Sequence, residues 1–352
     1  MVTPSDARVI SAGTSISLDL LRIVAALVVV IFHTTAQWFE KVPHVLEGAG
    51  HSAVVVFFVL SGYVIAYTTH RHQRGLRSYA QARLSRLSSV VLPALLLTAV
   101  IGWIVRNFDP ALSDLYSRGA ALPRYVLSGL FLNEIWFFSA APPINRPLWS
   151  LSFEFWYYAI FGLWWFRGKG WKSFFLPLIA CVMAGPKILL MMPIWLMGGA
   201  AFYGRSPACS PVMARTLIAG GLLLIGAAVR WLPQMPAPLG LAPFFFANQF
   251  VTDWIIGVLV AGCLWPLPAA TSAGGGEVWG MKTIRNVADL TFAIYVLHHP
   301  LLVLFRALVP FEPNDGWQAL QAGLAVIAVA SLLGVFLEWQ RPIWVKLFKR
   351  VL

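Results

Sequence analysis

The chain has 352 residues, 59% of them hydrophobic and 11% charged, with a mean hydropathy of +0.74. A soluble domain of this size could not bury so much apolar surface, so a soluble protein is excluded and an all-α polytopic membrane protein is predicted. The net charge of +12 would suit nucleic acid, but the Lys and Arg residues sit in short loops between apolar runs, as the positive-inside rule describes, and no nucleic-acid partner is implied.

Residues 1–17 are polar and contain no small-residue cleavage site, so the first apolar run reads as a retained anchor. That run, LDLLRIVAALVVVIFHTTAQWF over 18–39, is long enough to cross a bilayer yet carries Asp19, Arg22 and His33. On a helix, Arg22 and His33 return to within about 20° of the same face and stand about 16 Å apart along the axis. Ionisable groups inside a span are costly and usually face a bundle interior or a water-filled cavity. Taken singly, Arg22 reads equally well as a snorkelling side chain.

A second apolar run covers 52–69, after a loop with His44 and His51. It is followed by the most basic stretch of the chain, with Arg71, Arg74, Arg77, Arg83 and Arg86, which is expected in the cytoplasm. Further apolar runs occupy about 89–106, 124–139, 147–166, 173–186, 188–204, 214–232, 248–266, 286–309 and 317–338. The run 124–139 is short and carries Asn133 and Glu134, and as a span it would place the later basic loops outside. It is therefore predicted as a re-entrant or interfacial segment. About ten transmembrane helices then remain in a single membrane-embedded domain over 1–352, with both termini cytoplasmic and a basic tail at 340–352 on the inner surface. The stretch TSAGGGE at 271–277 is expected to be a flexible inner loop. Cys181, Cys209 and Cys263 are scattered, odd in number and without metal-ligand spacing, so they suggest neither a disulfide framework nor a metal site.

Four stretches carry polar groups at defined spacing. The first is Arg22, ten intervening residues, then His33. The second is FFVLSG at 57–62, where Ser61 and Gly62 allow a neighbouring helix to approach closely. The third is LWSLSFE at 148–154, which places Trp149, Ser152 and Glu154 at the start of a span. Glu154 is open to orienting a hydroxyl, to pairing with Arg146 or to a structural contact. The fourth is TFAIYVLHHP at 291–300, with Tyr295 and His298 at i, i+3 and Pro300 allowing the helix to open locally. Arg83 and Arg86, also at i, i+3, read on residue type alone as ordinary positive-inside charge.

Together these stretches resemble the acyltransferase family 3 integral-membrane proteins, which transfer acyl groups to sugars and related hydroxyl acceptors. Members often carry an Asp two residues before the first Phe of the second motif, where this chain has Val55, and Thr291 and Phe292 replace the usual Ser and Tyr of the fourth. The resemblance implies that Arg83 and Arg86 help to receive acyl-CoA at the cytoplasmic side. It implies His33 and Arg22 as the catalytic pair, supported by Asp19, Glu154, Tyr295 and His298, with Trp149 and Ser152 on the acceptor side. No bound cofactor or metal is implied. Acyl-CoA, most simply acetyl-CoA, would be a co-substrate and a saccharide or other hydroxyl compound the acceptor, in an inner membrane. Acyl transfer to an alcohol needs a base of near-neutral pKa, which suits His33, either activating the acceptor directly or carrying the acyl group. Two other readings use the same intramembrane polar groups: a proton-coupled transporter or flippase for a sugar or drug, and a scaffold in a polysaccharide-export complex.

Overall fold

A computed structural model describes residues 10–44, 46–72, 75–205, 207–271 and 280–351. The expected flexible loop at 271–277 thus lies, beyond Thr271, outside the described residues, as does Arg74. The described residues are mostly helical and contain no strand. In chain order the helices are α1 (Ala12–Trp38), α2 (Ala49–His72), α3 (Leu76–Phe108), α4 (Pro110–Tyr116), α5 (Ala121–Gly129), α6 (Trp149–Trp165), α7 (Phe175–Ala184), α8 (Pro186–Tyr203), α9 (Pro211–Trp231), α10 (Phe250–Leu264), α11 (Leu267–Ala270), α12 (Met281–Leu308) and α13 (Gly316–Val351).

Eight of these are long and apolar enough to cross a membrane: α1, α2, α3, α8, α9, α10 continued through α11, α12 and α13. The chain is a multi-pass membrane protein. The other two expected spans are shorter helices. One is α6, with 17 residues. The other is α7, whose 10 residues rise only about 15 Å. The expected basic tail does not leave the last helix, because α13 continues to Val351 with Lys349 and Arg350 in its final turn, where cations suit the negative end of the helix dipole.

Local sequence explains the helix starts. Ser11 caps α1 by accepting from the Thr14 amide at 3.1 Å. Asp109 caps α4 and Ser210 caps α9 in the same way, each followed by a proline whose missing N–H costs nothing in the first turn. Prolines inside spans free a carbonyl one turn back, and at two of them the fold fills the vacancy with a side chain. Pro93 frees the Ser89 carbonyl, which accepts from Gln340 at 3.0 Å. Pro300 frees the Val296 carbonyl, which accepts from Asn145 at 3.0 Å.

The centre of the bundle is α2 and α12, whose apolar windows are 72% buried against 11% for α9. α1 packs on both, α12 also packs on α3 and α13, and α2 packs on α8. The α2–α8 contact is backbone on backbone. A Cβ added at Gly62 would sit 1.8 Å from the Trp195 carbonyl oxygen, and one at Gly198 would sit 1.9 Å from that of Val59. Only glycine fits this crossing.

The stretch 124–139 does not span. α5 starts beside α3 near Gly102, which faces Tyr125, and its end at Gly129 faces Leu92 and Leu95. It therefore descends about 10–15 Å along α3. The chain then reverses at Phe131, which adopts a left-handed φ of 57°, uncommon for a bulky side chain. Packing over-determines the turn: the buried ring stacks on Phe155 at 4.8 Å, and the carbonyl accepts from Ser152 Oγ at 2.7 Å and Trp156 Nε1 at 3.1 Å. The return limb is held by a buried ion pair between Glu134 and Lys187, whose ammonium also donates to the Phe138 carbonyl. This is a re-entrant segment.

Candidate active site

α1 runs unbroken from Arg22 to His33, and each residue lines a different cavity. The cavity at the Arg22 end, about 90 Å³, is lined by Arg22, by Arg83 and Arg86 of α3, by Ser61 of α2 and by Glu154 and Tyr158 of α6. That volume holds several waters. Three guanidiniums face one carboxylate there, so the space is electropositive and suited to bidentate contact with phosphate. Asp19 holds Arg22 at 3.7 Å and also lies 3.9 Å from Arg285. Arg83 donates to Thr68 Oγ1 at 3.2 Å and lies over the rings of Tyr79 and Tyr158.

Glu154 is in this cavity and not beside the start of α6. It accepts from Ser61 Oγ at 3.0 Å and from the Tyr158 hydroxyl, and Trp195 Nε1 donates to Ser61 Oγ at 3.2 Å. In the structure Glu154 contacts Ser61 and Tyr158, and Arg146 is turned to Phe246 instead. Arg146 lines the other cavity, with its guanidinium 5.0 Å from the Phe246 ring centre.

The cavity at the His33 end, about 370 Å³, is lined among others by His33, His51, Trp149, Arg146, Phe246 and His299. His33 Nδ1 lies 2.9 Å from the Val29 carbonyl, so Nδ1 carries the proton and Nε2 the lone pair. Behind it, His298 is fully buried, with Nε2 3.2 Å from the same Nδ1 and its own Nδ1 donating to the Tyr295 carbonyl at 2.6 Å. His299 lies 5.4 Å from His33 between ring centres and bonds the Ile144 carbonyl on the re-entrant return limb. Among the described residues no group of three or more His, Cys, Asp or Glu is arranged to hold a metal ion.

Val54 and Tyr295 line both cavities. The Tyr295 hydroxyl is 2.7 Å from Ser150 Oγ and donates to the Pro147 carbonyl at 3.0 Å. α12 thus sets a septum between the two spaces. Trp149 lies on the His33 side of it. Ser152 lines neither cavity: it is fully buried and spent on the Phe131 carbonyl.

The sequence reading passed over His51, Asp253 and Ser150, and singled out His298 rather than its neighbour His299. Asp253 carried a signal, since it is a carboxylate inside the apolar run 248–266. His51 was read as a loop residue, whereas α2 begins at Ala49 and holds it in the first turn.

A family model for an acyltransferase domain, of the acyltransferase 3 type, matches residues 15–339. The chain belongs to acyltransferase family 3. It is 29% identical over 209 residues to the "O-acetyl transferase" of Shigella phage Sf6, covering 54% of this chain and 61% of that protein. It is 23% identical over 365 aligned positions to "Peptidoglycan O-acetyltransferase OatA" of Listeria monocytogenes, covering 92% of this chain and 55% of the relative. With "Acyltransferase MdmB" of Streptomyces mycarofaciens it shares 26% identity over 360 positions, covering 92% of this chain and 89% of that protein. The chain thus spans little more than half the length of the first two. No solved structure matches.

Proposed function

We propose that this family 3 acyltransferase moves an acetyl group from acyl-CoA at the Arg22 side to a saccharide hydroxyl at the His33 side. The observation that carries this reading is the pair of cavities meeting at Tyr295, one holding three guanidiniums and the other the free Nε2 of His33. A polyanionic CoA headgroup is held by Arg22, Arg83 and Arg86, and its extended arm brings the thioester past Tyr295 and Val54 to His33, about 16 Å along α1. His33 then acts as base or as transient acyl carrier. Asp19 positions Arg22, Glu154 and Tyr158 position Ser61 on the donor side, and His298 fixes the ring of His33. Trp149 and Arg146 face the acceptor.

The names of the phage and Listeria relatives support acetyl as the group and a glycan as the acceptor. Arg71, Arg77, Arg83 and Arg86 gather at the Arg22 end, which the positive-inside rule assigns to the cytoplasm of an inner membrane, with both termini there. The test is a transfer assay in nanodiscs with labelled acetyl-CoA and a crude pool of surface glycans. Label should move to glycan with wild type and not with His33→Ala. Equal transfer by both proteins would remove His33 from the reaction. Vesicle uptake of a sugar without CoA turnover would replace transfer by transport.

A further inference from the structure

Three histidines line the His33-side cavity, His33, His51 and His299; His299 bonds a backbone carbonyl, and His51 is the one held by a carboxylate. His51, in the first turn of α2, places Nε2 at 2.8 Å from Asp253 Oδ2 of α10. Asp253 is fully buried in a span, and its other oxygen accepts from Gln249 at 2.8 Å. Both oxygens of this buried carboxylate are thus bonded, and the Nε2–H of His51 donates to Oδ2. The lone pair of His51 is therefore on Nδ1. The ring plane is set as well: His51 stacks on Trp149 with centres 5.5 Å apart and planes 9° apart, and Trp149 in turn stacks on Phe246 at 4.6 Å and 6°. A histidine whose far nitrogen is held by a buried carboxylate keeps one tautomer and one ring orientation, as a general base requires. Packing alone would not need an intramembrane carboxylate.

We infer that His51, oriented by Asp253, is the base that takes the proton of the acceptor hydroxyl, while His33 carries the acyl group. This rests on the function proposed above. In the first half, His33 Nε2 attacks the thioester carbonyl; the N–C bond forms, the C–S bond breaks and CoA leaves as the thiolate. In the second half, the acceptor oxygen attacks the acyl carbon as its proton passes to His51 Nδ1. The O–C bond forms, the N–C bond breaks and the electron pair returns to His33 Nε2. The proton on His51 leaves through solvent, one proton neutralises the thiolate, and the sum is acyl-CoA plus alcohol giving ester plus CoA.

The test separates the two halves in the full chain in nanodiscs. With labelled acetyl-CoA, wild type, His33→Ala, His51→Ala and Asp253→Asn are compared for CoA release without acceptor, for acylation of a crude surface-glycan pool and for acylation of hydroxylamine, a nucleophile that needs no base. His51→Ala should lose on the order of 100-fold in glycan acylation while releasing one CoA per enzyme and acylating hydroxylamine within about two-fold of wild type. Asp253→Asn should follow it with a smaller loss, and His33→Ala should lose all three. Glycan acylation by His51→Ala at the wild-type rate would overturn the inference, and so would loss of hydroxylamine acylation along with it, because that is what a purely structural role produces. If wild type itself releases no CoA and makes no hydroxamate, the acyl-CoA reading falls and takes this inference with it.

Discussion

At the scale of the residue, the two ends of α1 use different chemistry. In the proposed function Arg22 works through bidentate geometry, so charge alone should not replace it. Arg22→Lys keeps the cation but offers a point charge where a planar fork is needed. It should raise the KM for acetyl-CoA by at least about ten-fold, the size of losing one charge-assisted hydrogen bond of roughly 1.5–3 kcal/mol. A wild-type KM would show that no bidentate contact forms there. His33 depends instead on which nitrogen is free, which a backbone carbonyl decides one turn away. Ser152 was expected on the acceptor side by its motif, yet its hydroxyl serves the turn at Phe131. Ser152→Ala should therefore cost about 1–3 kcal/mol of stability by leaving a buried carbonyl one donor short, with KM values for both substrates unchanged, as thermal melts and kinetics would check.

At the scale of the element, polar side chains repair what proline and loop geometry leave open. Asn145 joins the Thr98 hydroxyl at 3.1 Å to the Val296 carbonyl freed by Pro300, and it holds α12 where His298 and His299 meet α1. The re-entrant limb depends on Glu134 and Lys187, both without solvent exposure. Removing one partner strands a buried charge, so Glu134→Gln or Lys187→Met alone should cost about 3–5 kcal/mol, whereas replacing both by apolar residues of similar size should recover most of it. Melting temperatures of the three variants in detergent decide this. The α2–α8 crossing is less forgiving. Gly62→Ala or Gly198→Ala drives a methyl into backbone within 2 Å, so the helices must part, and the monodisperse fraction on size exclusion should collapse for either variant.

At the scale of the whole molecule, the arrangement is two spaces meeting at Tyr295, and in the proposed function the acyl group is the only part of the donor that has to cross. This gives a topological expectation. In a background with Cys181, Cys209 and Cys263 replaced, Ala140→Cys on the re-entrant return limb should react with an impermeant thiol reagent added outside intact cells. Arg77→Cys, which is exposed at the other end, should react only after permeabilisation. The reverse pattern would invert the proposed direction of transfer.

The sequence by itself determined the helical membrane class, most of the spans, the re-entrant character of 124–139 and the family. Each of these is written in local properties: hydropathy over about 20 residues, polar groups at i, i+3 or i+11, glycine and proline at set positions, and charge in loops. Val55 was also legible as a missing carboxylate in its motif. Only the tertiary structure decided that a carboxylate arrives one turn earlier, from a helix 202 positions away, to hold His51. It also decided that Glu154 faces the arginines, that Ser152 serves a turn and that His298 stands behind His33 while His299 faces the cavity. Such pairings depend on how helices cross and rotate against one another. In lipid those crossings are set by close packing of small residues and by carbonyls in need of a donor. No stretch of sequence carries that information alone.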